Sequence, residues 1–178
     1  MNCKGDVEAA IGDGRDLTRF DDESFDVVLC MGPIYHLSTD KDRRQCISEC
    51  IRVLKKDGVL AIAYLNKHAA FMYQFKSDKD FIKDEASRNI IDVGHFYEDD
   101  SDNFYFTTSR DVERMLSDYN VQSVTNVATD GIGYLLKDTI ESSDEEEYRP
   151  WVENHLRTCT EPSLIGYSLH ALLVCRKI

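Results

Sequence analysis

Tyr35 and His36 stand side by side just after Met31-Gly32-Pro33, where a long apolar run stops. A phenol and an imidazole so placed can orient a bound molecule or take its proton, since imidazole titrates near neutral pH. A packing or capping role for His36 is the plainer alternative. Cys46 and Cys50 are four residues apart, a spacing that could grip a metal ion from one side of a helix, but no third ligand lies nearby in sequence and no metal site is expected. His68, His95, His155 and His170 lack metal-ligand spacing and read as structural or surface residues. The run Asp144-Glu145-Glu146-Glu147 reads as the solvated start of a helix.

The elements that must carry these residues follow from periodicity and punctuation. Val7 to Ile11 and Phe25 to Met31 are apolar runs stopped by glycine turns, so both read as buried strands. Ile47, Cys50, Ile51 and Leu54 recur at helical spacing; Thr39 with Asp42 resembles an acidic capping box, and Lys55-Lys56-Asp57-Gly58 closes the helix. Val59 to Leu65 reads as a fully buried strand, so the order strand, helix, strand implies a parallel crossover and an α/β sheet. Val112, Met115, Leu116 and Tyr119 mark a further helix, Val121 to Thr129 a strand and Ser168 to Val174 the last strand. Tyr148, Trp151, Val152, His155 and Leu156 keep helical spacing, with Pro150 either kinking that helix or standing in its first turn. Residues 68 to 106 carry Phe71, Tyr73, Phe75, Phe81, Phe96, Tyr97, Phe104, Tyr105 and Phe106. Such an insertion can be a substrate lid or a satellite core under a long loop, and both readings stay open.

Composition narrows the function. At 178 residues the chain holds one core and one domain, and its 33 acids against 21 bases give a net charge of −12, with the excess of acid mostly in the second half. Phosphate backbones would be repelled there, so no nucleic-acid partner is expected; a small molecule or a protein is. No apolar stretch is long enough for a membrane span and the first residues show no signal segment, so a cytoplasmic protein without a membrane partner is expected. The six cysteines show no C-x-x-C pair and suggest no disulfide framework.

Four blocks then belong together: Gly12-Asp13-Gly14-Arg15-Asp16-Leu17, Asp22-Glu23-Ser24-Phe25-Asp26-Val27-Val28, Met31-Gly32-Pro33-Ile34-Tyr35-His36-Leu37 and Arg52-Val53-Leu54-Lys55-Lys56-Asp57-Gly58-Val59. In this order and spacing they resemble the middle and later motifs of class I S-adenosylmethionine-dependent methyltransferases, in the group that includes ubiquinone-biosynthesis-type enzymes. The likeness continues more weakly beyond Asn66, through Thr158 to Gly166. It implies a Rossmann-like, mostly parallel α/β sheet with strand order 3-2-1-4-5-7-6, and the aromatic insertion then follows the family's fifth strand. It also implies S-adenosylmethionine as cofactor and a small-molecule methyl acceptor. Asp13 and Gly14 would end the third strand and meet the adenine edge, an acceptor followed by a small residue. Met31, Gly32 and Pro33 would border the methionine part of the cofactor, with Gly32 permitting close backbone approach. Tyr35 and His36 would sit at the pocket mouth.

One departure from the family stands out. The glycine-rich D/E-x-G-x-G loop, its helix and the ribose-binding acid are not in this sequence, and Arg15 to Phe20 begins no apolar-faced helix. The expectation is an N-terminally truncated fold that starts at the third strand, with weak or absent cofactor binding and impaired transfer. An unpaired apolar edge beside Phe25 to Met31 would favour a homodimer, and the rival function is a non-catalytic remnant acting through dimerisation.

Overall fold

Phe25–Cys30 forms the first strand, β1, and this computed structural model describes residues 7–97 and 104–178. A short turn of helix, α1 (Pro33–His36), follows, then the long α2 (Asp40–Val53). Thr39 caps α2: its Oγ1 accepts from the Asp42 amide at 3.1 Å and donates to the Asp42 carboxylate at 2.8 Å. Cys46, Ile47, Cys50 and Val53 make the buried face of α2. The helix ends at Val53, and the chain passes directly into β2 (Leu54–Asn66), earlier than the Gly58 stop read from sequence. Leu54 is itself a fully buried core residue, and an irregularity at Asp57 (φ 62°) takes up the change of register between the Phe25 and Val27 pairings. β1 and β2 are parallel neighbours, Val27 opposite Val59 and Cys30 opposite Ile62, as the crossover argument requires.

From β2 the chain enters α3 (Lys67–Ser77), a 3-10 turn (Lys79–Lys83) and α4 (Glu85–Asp92), then β3 (Phe106–Thr107), which pairs with the end of β2. After it come α5 (Ser109–Leu116), β4 (Val121–Ala128), α6 (Lys137–Ser142), α7 (Glu145–Thr158), α8 (Pro162–Ile165) and β5 (His170–Lys177). Asp144 and Glu147 close a reciprocal capping box at the head of α7, and Pro150 lies within that helix. The strands are ordered β1-β2-β5-β4, which is the 4-5-7-6 part of the order implied by the resemblance. The sheet is mixed: β5 runs antiparallel to both β2 and β4, while β1, β2, β3 and β4 share one direction.

The main core lies between this sheet and its helices. Leu60, Ile62, Tyr64 and Leu173 from the central strands meet Cys46, Ile47 and Cys50 of α2 and Val112 and Leu116 of α5. Each large aliphatic so buried contributes roughly 1.5–3 kcal/mol. A second cluster is separate from the first: Leu65, Ala70, Phe81, Ala86, Ile90 and Phe106, with Tyr35, Phe71 and Phe96 against it. Much of the aromatic content of residues 68 to 106 goes into this satellite core.

Two further expectations are corrected. Residues 7 to 12 form no strand, and Val7 and Ile11 are fully exposed. A strand exists only with a hydrogen-bonded neighbour, and among the described residues that stretch has none. The last strand begins at His170 rather than Ser168, because the Ser168 hydroxyl is tied to the loop after β4 instead of joining the ladder. Among the described residues no helix is long and apolar enough to cross a membrane.

Candidate functional site

The loop after residue 12 is built by local charge pairing. Asp13 accepts from the Arg15 amide at 2.9 Å and from the guanidinium through Nε and Nη2, the latter at 2.6 Å, while Arg15 Nη1 reaches Asp42 at 3.1 Å. The Arg15 guanidinium holds the Asp13 carboxyl at a pKa of about 2, below its ordinary 3.8. From α2, Glu49 accepts the Leu17 amide at 2.7 Å, and Arg52 binds Glu49 while donating to the carbonyls of Leu17 and Phe20. This half-buried anchor fixes the loop so that Gly14 lies against Pro33 and Cys46; a Cβ on Gly14 would stand 3.4 Å from the Pro33 ring. Asp13 and Gly14 are thereby brought to the carboxyl end of β1, beside the Met31-Gly32-Pro33 turn. Gly12, Asp13, Gly14 and Phe20 wall a cleft of about 550 Å³. Asp13 does not end a strand, and its carboxylate already has a cationic partner.

Gly32 opens α1 at φ 155° and ψ −49°, a backbone that side-chain-bearing residues avoid. Met31 is exposed and Gly32 buried. Tyr35 and His36 follow with ring centroids 4.8 Å apart, and His36 lies 5.0 Å from the Phe104 ring. Tyr35 is half-buried against the satellite core, and its carbonyl accepts the Tyr105 amide at 2.8 Å. Arg43, unremarked in the sequence, holds this corner: its Nη1 donates to the carbonyls of Leu37 and Ser38 and its guanidinium lies 3.5 Å over the Tyr105 ring. Burial lowers the pKa of Arg43 from its ordinary value.

A second cavity, of about 290 Å³, opens at the carboxyl end of β2. Leu65, Tyr73, Phe96, Phe104, Phe106 and His170 line it. Phe104 therefore touches both this cavity and His36. His170 is held by Asp130, which follows the end of β4: Nδ1 is 2.8 Å from Oδ2, and the His170 amide donates to the same carboxylate at 3.1 Å. Ser168, fully buried, donates to Asp130 and accepts from the amides of Asp130 and Gly131. A carboxylate only accepts, so the ring proton sits on Nδ1 and Nε2 is the nitrogen left to meet a ligand.

The structure thus brings Asp13, Gly14 and Pro33 together and sets Tyr35 and His36 beside the aromatic cavity. Sequence reasoning missed Arg43, Asp130 and His170. The two partners in the His170 pair lie 40 residues apart, so no local spacing announces them. It also missed the third thiol near Cys46 and Cys50: Cys30 Sγ is 4.0 Å from that of Cys46.

Comparison with known proteins bears on the fold that carries this site. Residues 2–62 match a family model described as a methyltransferase domain. The chain is 39% identical over 66 residues to glycine/sarcosine N-methyltransferase of Aphanothece halophytica, a match spanning 36% of this chain and 25% of that protein. A SAM-dependent methyltransferase from Methanosarcina mazei superposes with a TM-score of 0.60 at 15% identity, over 98% of this chain and 68% of the other. One from Archaeoglobus fulgidus gives 0.52 at 15% identity, over 98% and 70%. Family model, curated relative and shared fold all point the same way: over its first third the chain is similar to methyltransferase domains, and its fold is that of S-adenosylmethionine-dependent methyltransferases.

Proposed function

We propose that this chain serves methyl transfer from S-adenosylmethionine to a small amine with an apolar body. The observation that carries the reading is His170, fixed by Asp130 at the wall of an aromatic cavity. The cofactor, when bound, supplies an electrophilic methyl group. The cleft beside Asp13 and Gly14 suits its adenine end, since a carboxylate accepts an exocyclic amino group and Gly14 projects no side chain into the approach. Arg15 must first give up Asp13, and an exposed ion pair of this kind costs little to exchange.

On the acceptor side, Tyr73, Phe96, Phe104 and Phe106 remove apolar surface from water, and the 68 to 97 segment covers the cavity as a lid. An amine nucleophile must shed its proton before its lone pair can attack. His170 Nε2 takes that proton while Asp130 holds the ring and balances the charge of the imidazolium. Tyr35 and His36 orient the acceptor from the other side. The curated relative's name, an N-methyltransferase acting on glycine and sarcosine, supports an amine as the class of acceptor.

The test is transfer of labelled methyl from S-adenosylmethionine to a panel of small amines. His170→Ala should lower turnover by about 100-fold or more, the usual range for a general base, with affinity for S-adenosylhomocysteine unchanged. No methylated amine from the native chain, or equal turnover in the variant, overturns the reading.

The edge of the sheet favours a second reading, a non-catalytic chain that pairs with its own copy. Val27 (54% exposed) and Leu29 (64%) stand on an open face of β1, which has no strand on its outer side among the described residues. Such an apolar edge is a template for pairing. Sedimentation showing a dimer that Leu29→Lys dissolves, together with no methyl transfer, would select it.

A further inference from the structure

Cys30, Cys46 and Cys50 come together from two elements. Cys30 is the last residue of β1, and Cys46 and Cys50 lie one turn apart on the buried face of α2. Their sulfur atoms all lie within 4.8 Å of one another, with 4.0 Å between Cys30 and Cys46, and their exposures are 3%, 0% and 5%. None is in a disulfide. The parallel crossover forces the meeting: the end of β1 faces the middle of α2 once that helix packs on the sheet.

We propose that these three sulfurs form a binding site for one soft, thiophilic metal ion of the Cu(I) type. At a metal–sulfur distance of about 2.3 Å, three sulfurs spaced at 120° stand about 4.0 Å apart, which the Cys30–Cys46 pair already matches. Since all three sulfurs already lie within 4.8 Å of one another, closing the triangle at Cys50 needs less than about 1 Å of movement. No fourth histidine, cysteine or carboxylate joins the group among the described residues. A structural zinc ion takes four ligands, so three sulfurs alone favour an ion content with three, and soft thiolates select Cu(I).

The walls of the site are apolar, with Ile34, Ile47 and Leu60 in the same core, so water does not compete for the coordination sphere. Entry is short. Gly14 covers Cys46, and a Cβ added there would stand 3.2 Å from the sulfur, so a residue without a side chain is what separates the thiols from the loop above. Each thiol that ligates as thiolate releases its proton to solvent, and no oxidant or reductant is needed when the ion arrives as Cu(I).

The experiment is an anaerobic titration of the reduced chain with Cu(I) against a chromogenic Cu(I) chelator. The expected result is one equivalent withdrawn from the chelator, an X-ray absorption spectrum with three sulfur neighbours, and a rise in melting temperature with that one equivalent. Cys46→Ala and Cys50→Ala should lose this equivalent, while Cys159→Ser, outside the cluster, should keep it. The melting shift of the unaltered chain needs no variant and decides the matter even if a core substitution fails to fold. No melting shift, fewer than three sulfurs in the spectrum, or equal uptake by Cys46→Ala would overturn the proposal. None of these readings uses methyl transfer, so the metal site stands or falls apart from the proposed function.

Discussion

Arg15 Nη2 rests 2.6 Å from Asp13 Oδ2, so the residue proposed above to meet the adenine is already engaged by its own neighbour. The pair has a titration signature. The Asp13 carboxyl is held at about 2 against an ordinary 3.8, so the stability linked to it is fully present above about 3.8 and is lost as pH falls through about 2. In Arg15→Met the carboxyl should titrate close to 3.8, read by NMR of its side-chain carbon. The same variant should bind S-adenosylhomocysteine more tightly than the native chain; unchanged affinity would show that Arg15 does not compete at this position.

The Glu49 and Arg52 anchor predicts an acid-sensitive loop. Hydrogen bonding to Arg52, then to the Leu17 amide, lowers the Glu49 pKa below its ordinary 4.5. Its contribution to folding is therefore complete above that value and disappears as pH falls through the lowered one. Glu49→Gln should cost about 1.5–3 kcal/mol near neutral pH, the range for hydrogen bonds to charged groups, and should flatten the acid limb of the stability profile. Urea unfolding at several pH values checks both, and a variant with the native acid limb would refute the assignment.

Gly94 holds the end of α4 against β3. It adopts φ 82°, its carbonyl accepts the Phe106 amide at 2.7 Å, and a Cβ there would fall 2.2 Å from the Phe106 carbonyl oxygen. Gly94→Ala should destabilise the satellite core by at least about 1–3 kcal/mol through backbone strain and should speed amide exchange in α4 more than in β2. Uniform exchange across both elements would contradict this.

Tyr73 and Phe81 separate the lid from the satellite core. Tyr73 is 44% exposed and lines the cavity, whereas Phe81 is 9% exposed and packs between Phe71 and Phe96. Phe81→Ala should cost about 3–5 kcal/mol, as emptied aromatic sites do. Tyr73→Ala should leave the melting temperature nearly unchanged and raise the KM for the amine. A Tyr73→Ala chain with native KM would remove the segment from acceptor binding.

Local chemistry alone makes several elements legible in the sequence. The Thr39 cap and the spacing of Ile47 and Cys50 are properties of neighbours within one or two turns, and α2 starts where the cap places it, although it ends at Val53 and not at the Gly58 stop. The continuous apolar run from Val59 to Leu65 demands burial on both faces, and β2 occupies the centre of the sheet. The motif blocks from Gly12 to Gly58 also carry the resemblance to methyltransferases, because the residues that line a strand end are consecutive.

Residues 7 to 11 show where that reasoning stops. Their apolar character satisfies a strand pattern, yet a strand needs a partner's amides and carbonyls, and pairing is decided only by the assembled sheet. The same holds for chemistry that crosses elements. His170 meets Asp130 because the antiparallel β5 begins where β4 ends, and Cys30 meets Cys46 and Cys50 because a crossover of the right length lays α2 on β1. Side-chain type and spacing determined the individual groups; the packing of strands against helices decided which of them face one another, because contacts across tens of residues have no local signature.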